Sequence, residues 1–209
     1  MKKIIQFVIV SLAIILVPAA QAAFQAGLAE GSKIWLEGES TLHAYESQAT
    51  FSDLELVFSS ASSLESLSSA VVSELPARLT LSIPVAALRS PHRLLDKNMA
   101  RALKAERFPE IVFAMDRYSV AGRLESGAAT VTAYGELSVA GRTRPERIEA
   151  ALSFKEGRII IDGQQPLLMT DFGVRPPRLA FGAIKTADRV VIRFHLVLEK
   201  AHSDKEKKS

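Results

Sequence analysis

No cysteine occurs among the 209 residues. That absence excludes disulfides, thiolate zinc sites, iron–sulfur clusters and a cysteine nucleophile. It also excludes a lipoprotein, whose lipid is carried on cysteine. Charge of one sign is scarce as well: 26 basic residues stand against 23 acidic ones. The excess sits at the two ends, in Lys2 and Lys3 and in the lysines from Lys200 onward. The body between them is near neutral, so it lacks the clustered Lys/Arg face that nucleic acid requires. Only four histidines occur, His43, His92, His195 and His202, and no two share a metal-ligand spacing. There is no G-x-S-x-G elbow, no phosphate loop, no G-x-G-x-x-G and no internal repeat.

What is abundant is apolar content, 48% of residues, which is too much for a disordered chain. Part of it is an N-terminal segment. Met1-Lys2-Lys3 precedes an apolar run from Ile4 to Val17, then Pro18 and Ala20-Gln21-Ala22. A basic start, an apolar middle and an A-x-A end form a cleavable signal peptide. The run is too short for a comfortable membrane span. The expected organisation is a signal peptide over 1–22, one domain over 23–199 and a charged tail over 200–209.

The domain alternates with period two. Arg78 to Val85 sets Leu79, Leu81, Ile83 and Val85 on one face, and Ala129 to Val139 and Ile148 to Phe154 repeat the pattern. In the last strand Val190, Ile192, Phe194, Leu196 and Leu198 face one way, and Arg189, Arg193, His195 and Glu199 the other. Such alternation means antiparallel sheet with one dry face. Further strands are expected over Lys33–Glu39, Gln48–Phe58, Ile111–Tyr118 and Arg158–Met169. Ala121-Gly122, Ser126-Gly127, Ala140-Gly141 and Glu156-Gly157 are the turn signals. About eight strands in one domain predict an all-β sandwich or closed barrel. One helix is expected over Leu94–Arg107, capped at Ser90 with Pro91 in its first turn. The stretch Ser59–Ser69 carries seven serines and reads as a loop.

Catalytic sets are hard to find. Ser40 and His43 are neighbours but lack the surrounding hydrolase motif, and Asp116 and Asp171 read better as turn formers. No enzyme activity and no metal are expected. A barrel of this size is either filled by its own side chains or lined around an apolar ligand, and alternation alone does not decide which.

Four stretches carry a resemblance. They are Trp35-Leu36-Glu37-Gly38-Glu39-Ser40-Thr41-Leu42-His43; Ser90 with Leu95-Asp96-Lys97-Asn98-Met99, Leu103-Lys104-Ala105 and Phe108-Pro109-Glu110-Ile111-Val112-Phe113; Gly135 to Pro145; and Met169-Thr170-Asp171-Phe172-Gly173-Val174 with Pro176-Pro177. Together and in this order the chain resembles the YceI-like family, while Ser59–Ser73 departs from its pattern. The resemblance implies a lipocalin-like extended antiparallel barrel of about eight strands with a helical insertion. It further implies a periplasmic carrier of a long-chain lipid (a polyisoprenoid, an isoprenoid quinone or a fatty-acid-like chain), with no other cofactor, no nucleic acid and no membrane span after signal cleavage. A homodimer is compatible with it. Aromatic and thioether side chains suit such a ligand, which is held by buried area. The expected contacts are Trp35, Phe51, Met99, Leu103, Phe113, Met115, Leu137, Met169 and Phe172, with His43 and, less strongly, Tyr134 near a polar head. The competing readings are a structural or partner-binding barrel with a filled core, and an exported hydrolase.

Overall fold

Alternation of apolar and polar residues builds most of the described residues into antiparallel sheet. The computed structural model describes residues 24–50, 55–60, 77–123, 128–179 and 183–200. The expected signal peptide, Phe51, most of the serine-rich stretch, Ser126-Gly127 and the tail lie outside them.

The strands are β1 (Phe24–Leu28), β2 (Lys33–Ser40), β3 (Ala44–Thr50), β4 (Glu55–Ser60), β5 (Ala77–Pro84), β6 (Glu110–Arg123), β7 (Ala128–Val139), β8 (Arg142–Lys155), β9 (Arg158–Leu168), β10 (Arg178–Leu179) and β11 (Ile184–Lys200). Their order is β1-β4-β5-β6-β7-β8-β9-β11-β2-β3, and β1 also pairs β11. That last pairing closes a ring.

The ring has eight staves, as expected, but two of them are broken. β1 and β2 both run along one edge of β11, from Ala26↔Lys200 to Ser40↔Thr186. Between them the Ala29 N–H donates to the Val197 carbonyl at 2.8 Å and the Ser32 hydroxyl completes the link. It accepts the Val197 N–H at 2.9 Å and donates to the Val197 carbonyl at 3.3 Å. Likewise β3 pairs β2 while β4 pairs β1 and β5. The single strand expected over Gln48–Phe58 is therefore the end of β3 and the start of β4. Ser59 and Ser60 belong to β4 rather than to a loop.

Two hairpins follow their turn signals. Ala140 and Gly141, and Glu156 and Gly157, all have positive φ, the two-residue turn that matches strand twist. Ala121-Gly122 is not a turn: both residues lie in the β6–β7 ladder. That ladder shifts register between Met115 and Arg117, leaving Asp116 in a bulge. The bulge moves the inward face of β6 from Ile111, Phe113 and Met115 to Tyr118 and Val120.

The helix, α1, spans Arg93–Ala102 and is shorter than expected. Lys104 adopts a left-handed conformation, which ends the α-helix. His92 is the N-cap, so Pro91 precedes the helix instead of opening it. Ser90 still serves the start: its hydroxyl donates to Asp96 Oδ1 at 2.6 Å, and its N–H donates to the same oxygen at 2.8 Å.

Candidate ligand cavity

The inward faces do not meet everywhere. At one end Leu152, Ile159 and Leu198 pack with Ala26 and Ala129 into a filled core. Toward the other end the staves enclose a cavity of about 270 Å³. Its wall takes residues from β2, β3, β5, β6, β7, β8, β9 and β11. Among the described residues, four polar side chains reach it, Tyr45, Asn98, Gln165 and Thr186, and no charged one lines it.

Three devices make room for this space. First, β3 meets the segment after β5 only through an isolated bridge, Gln48↔Arg89. Helix α1 covers the adjoining space, presenting Leu95, Asn98, Met99 and Ala102 at helical spacing. No residue of α1 is buried, as expected of a cover over a hollow. Second, the 3-10 turn Met169–Phe172 folds back over β7 and β8. Phe172, 2% exposed, packs with Leu137, Val139 and Val174. Gly173 closes the turn in the left-handed region, with the Arg142 side chain against it. Third, the β8–β9 ladder runs from Lys155↔Arg158 to Ala150↔Gly163 and goes no further. Beyond that point side chains link β8 to β9 and to the 3-10 turn that follows it. Gln165 Nε2 donates to Glu146 Oε2 at 3.0 Å, and Arg144 meets Asp171 at 3.5 Å.

Glycines let aromatic rings lie against the wall. A Cβ at Gly38 would strike the ring of Tyr45, its partner across β2–β3, and one at Gly163 would strike Phe194, its partner across β9–β11. Each ring lies over a bare backbone, the pairing used to rescue strand glycines.

Seven of the expected contacts line the cavity: Met99, Leu103, Phe113, Met115, Leu137, Met169 and Phe172. Trp35 does not. Ile34 and Leu36 hold the inward face of β2, so Trp35 between them points out. There its Nε1–H donates to Glu37 Oε1 at 3.0 Å, and Lys33 lies over its ring. His43 is exposed in the β2–β3 hairpin, where Nδ1 lies 2.7 Å from the Ala44 carbonyl oxygen. Tyr134 is outward too, under the Arg117 guanidinium. Residues not singled out from the sequence also line the space, among them Tyr45, Ile192, Phe194 and Gln165.

The polar candidates have local duties. Ser40 Oγ donates to the His43 carbonyl at 2.8 Å, not to its ring, and accepts the N–H groups of Leu42 and His43. Asp171 pairs Arg144, and His195 Nδ1 lies 2.6 Å from Asp162 Oδ1. No group of three metal-ligating side chains occurs among the described residues. No helix among them is long and apolar enough to cross a membrane. Burial pushes the Tyr45 and Tyr118 hydroxyls up and the Glu146 carboxyl up. On the outer wall the hydrogen bond from Arg193 holds Glu37 below the ordinary carboxylate range.

The family model for the YceI-like domain matches residues 30–198. Among solved structures, Burkholderia cenocepacia BcnA is similar at 18% identity and a TM-score of 0.61, covering 79% of this chain and 95% of that one. A polyisoprenoid binding domain from Saccharophagus degradans, implicated in plant cell wall breakdown, is similar at 12% identity and a TM-score of 0.58. It covers 85% of this chain and 99% of its own. No curated protein matches.

Proposed function

The chain belongs to the YceI-like family, and we propose that it is a periplasmic carrier that holds the long hydrocarbon chain of a lipid, such as a polyisoprenoid, inside its barrel. The observation that carries this reading is the cavity: about 270 Å³, with no charged side chain among the described residues of its wall. Small-ligand pockets span roughly 300–1,000 Å³. This one lies just below that range, which suits a narrow chain better than a bulky ring system. Each methylene removed from water contributes about 0.8 kcal/mol, so a chain is gripped by length rather than by any one contact. Met99, Met115 and Met169 line the space and adapt to an irregular ligand. The polyisoprenoid binding domain among the structural neighbours supports the same ligand class.

The carrier role needs no catalytic group. The basic and apolar N-terminal segment supports export, with mature protein beginning near Ala23. Cell fractionation followed by N-terminal sequencing checks that start.

Native mass spectrometry of protein taken from its own cells tests the binding reading. The expected spectrum carries an added mass that organic extraction removes and that fragments as a lipid. Protein that is empty, and that also rejects added isoprenoid quinone and fatty acid, overturns it.

A further inference from the structure

We propose that Gln165 and Glu146, where β8 and β9 part, receive an uncharged hydrogen-bonding lipid head, a hydroxyl, carbonyl or amide, and disfavour an anionic one. This rests on the carrier reading and names the class of lipid that the same cavity takes.

The position comes first. Gln165 lines the cavity on β9, two residues beyond the last rung of the β8–β9 ladder at Ala150↔Gly163. Glu146 is in phase with Ile148 and Ala150, which also line it, so its carboxyl shares the inward face of β8. The pair therefore stands in a gap in the wall that backbone hydrogen bonds do not close. The wall is thin at the foot of this gap. A depression on the outer surface, bounded by Glu149, Asp162, Gln164 and Arg193, shares Ala150 and Phe194 with the cavity. A lipid tail inside can thus keep its head at the gap, within reach of water.

The chemistry follows from the groups present. The Gln165 amide donates to Glu146 Oε2, and its carbonyl oxygen makes no hydrogen bond to the described residues, leaving it free to accept from a ligand. Burial raises the Glu146 carboxyl and Asp171 adds to that, against the Gln165 hydrogen bond and Arg144. A carboxyl that keeps its proton donates to a ligand oxygen, and an ionised one repels an anion. As the acceptor of the Gln165 amide hydrogen, the carboxylate repels phosphate or carboxylate. Arg144, the cation acting on Glu146, is already engaged by Asp171. The outer depression adds Glu149, paired to Arg147, and Asp162, paired to His195, while its Arg193 is held by Glu37 at 2.7 Å. An anionic head would meet the Glu146 carboxylate while Arg144 and Arg193 are already engaged by Asp171 and Glu37, a costly arrangement.

The test is displacement of an apolar fluorescent dye from the delipidated full chain at neutral pH, by dodecane, dodecanol, dodecyl phosphate and dodecylamine. Dodecanol is expected to displace at a concentration about tenfold below dodecyl phosphate. E146Q should narrow that gap to about threefold, since a neutral amide replaces the repelling group. Q165L should remove the advantage of dodecanol over dodecane. Thermal melts verify that both variants are folded. Dodecyl phosphate binding as tightly as dodecanol, or dodecylamine binding tightest, overturns the head assignment while leaving the carrier reading intact. Failure of dye and dodecane alike to bind wild-type protein overturns the carrier reading itself, and this inference with it.

Discussion

The two ends of this barrel are built from the same alternating strands and come out differently. At the end holding Leu152, Ile159 and Leu198, β1 is laddered to both β4 and β11 and β8 to β9, and the inward side chains meet. At the end holding Met169 and Phe172, β8 parts from β9 and β3 touches the segment after β5 at a single bridge. A helix and a 3-10 turn stand in for the missing pairing, and the side chains surround a hollow. Hollowness is thus a property of strand spacing rather than of residue type. Leucine and phenylalanine fill one end and line the other.

The largest contrast should appear on truncation. Leu198 is 2% exposed and paired to Ile159 on one edge and Leu28 on the other. Leu198→Ala should cost about 2–5 kcal/mol in urea unfolding, because a filled core leaves a cavity behind. Met115→Ala enlarges a space that is already empty, and should cost clearly less, about 1 kcal/mol. Equal losses would mean that the two ends are packed alike.

Filling gives the converse. Met115→Trp should leave the unfolding midpoint within about 1 kcal/mol of wild type, since overpacking strain arises only where there is no room. The same change should abolish retention of a lipid. A Gly163→Val variant bears on the boundary between the ends, where the β8–β9 ladder stops. Its side chain would meet the Phe194 ring and force it from the wall. The expected loss is about 1–3 kcal/mol, read as a lower melting temperature.

Much of this architecture was legible in the residues themselves. The period of Val190 to Leu198 assigned both faces of β11, and Ala140-Gly141 and Glu156-Gly157 marked two hairpins. What stayed hidden depends on distant partners. The break between β1 and β2 is bridged by Ser32 through Val197, 165 residues away. Nothing near Ser32 announces that. The bulge at Asp116 likewise exists only against β7. Trp35 is a different case. Its chemistry suited a lipid, yet its phase between Ile34 and Leu36 already placed it outside. Glu146 is the mirror case: a glutamate in phase with Ile148 and Ala150 signalled an inward carboxyl, and only the parting of β8 and β9 explains why it is tolerated there.

The smallest effect separates two carboxyls, and it is one of pH. Glu37 sits on the outer wall, opposite Val191 in the β2–β11 ladder, where Arg193 lowers its pKa. A lowered carboxyl adds stability above the ordinary glutamate value, and that stability is lost as pH falls through the folded value. Glu146 sits at the gap, where burial raises its pKa. Its native form binds protons more readily than the unfolded chain does. Its favourable contribution is therefore complete below the ordinary value and is lost as pH rises through the folded value. Between those two values, and above them, Glu146→Gln should be slightly more stable than wild type, and the difference should vanish in acid. Glu37→Gln should do the opposite, losing stability at neutral pH and matching wild type only in acid. Urea midpoints measured across the acid-to-neutral range for both variants read the two slopes. Slopes of the same sign would mean that the gap and the closed wall hold their carboxyls in the same way.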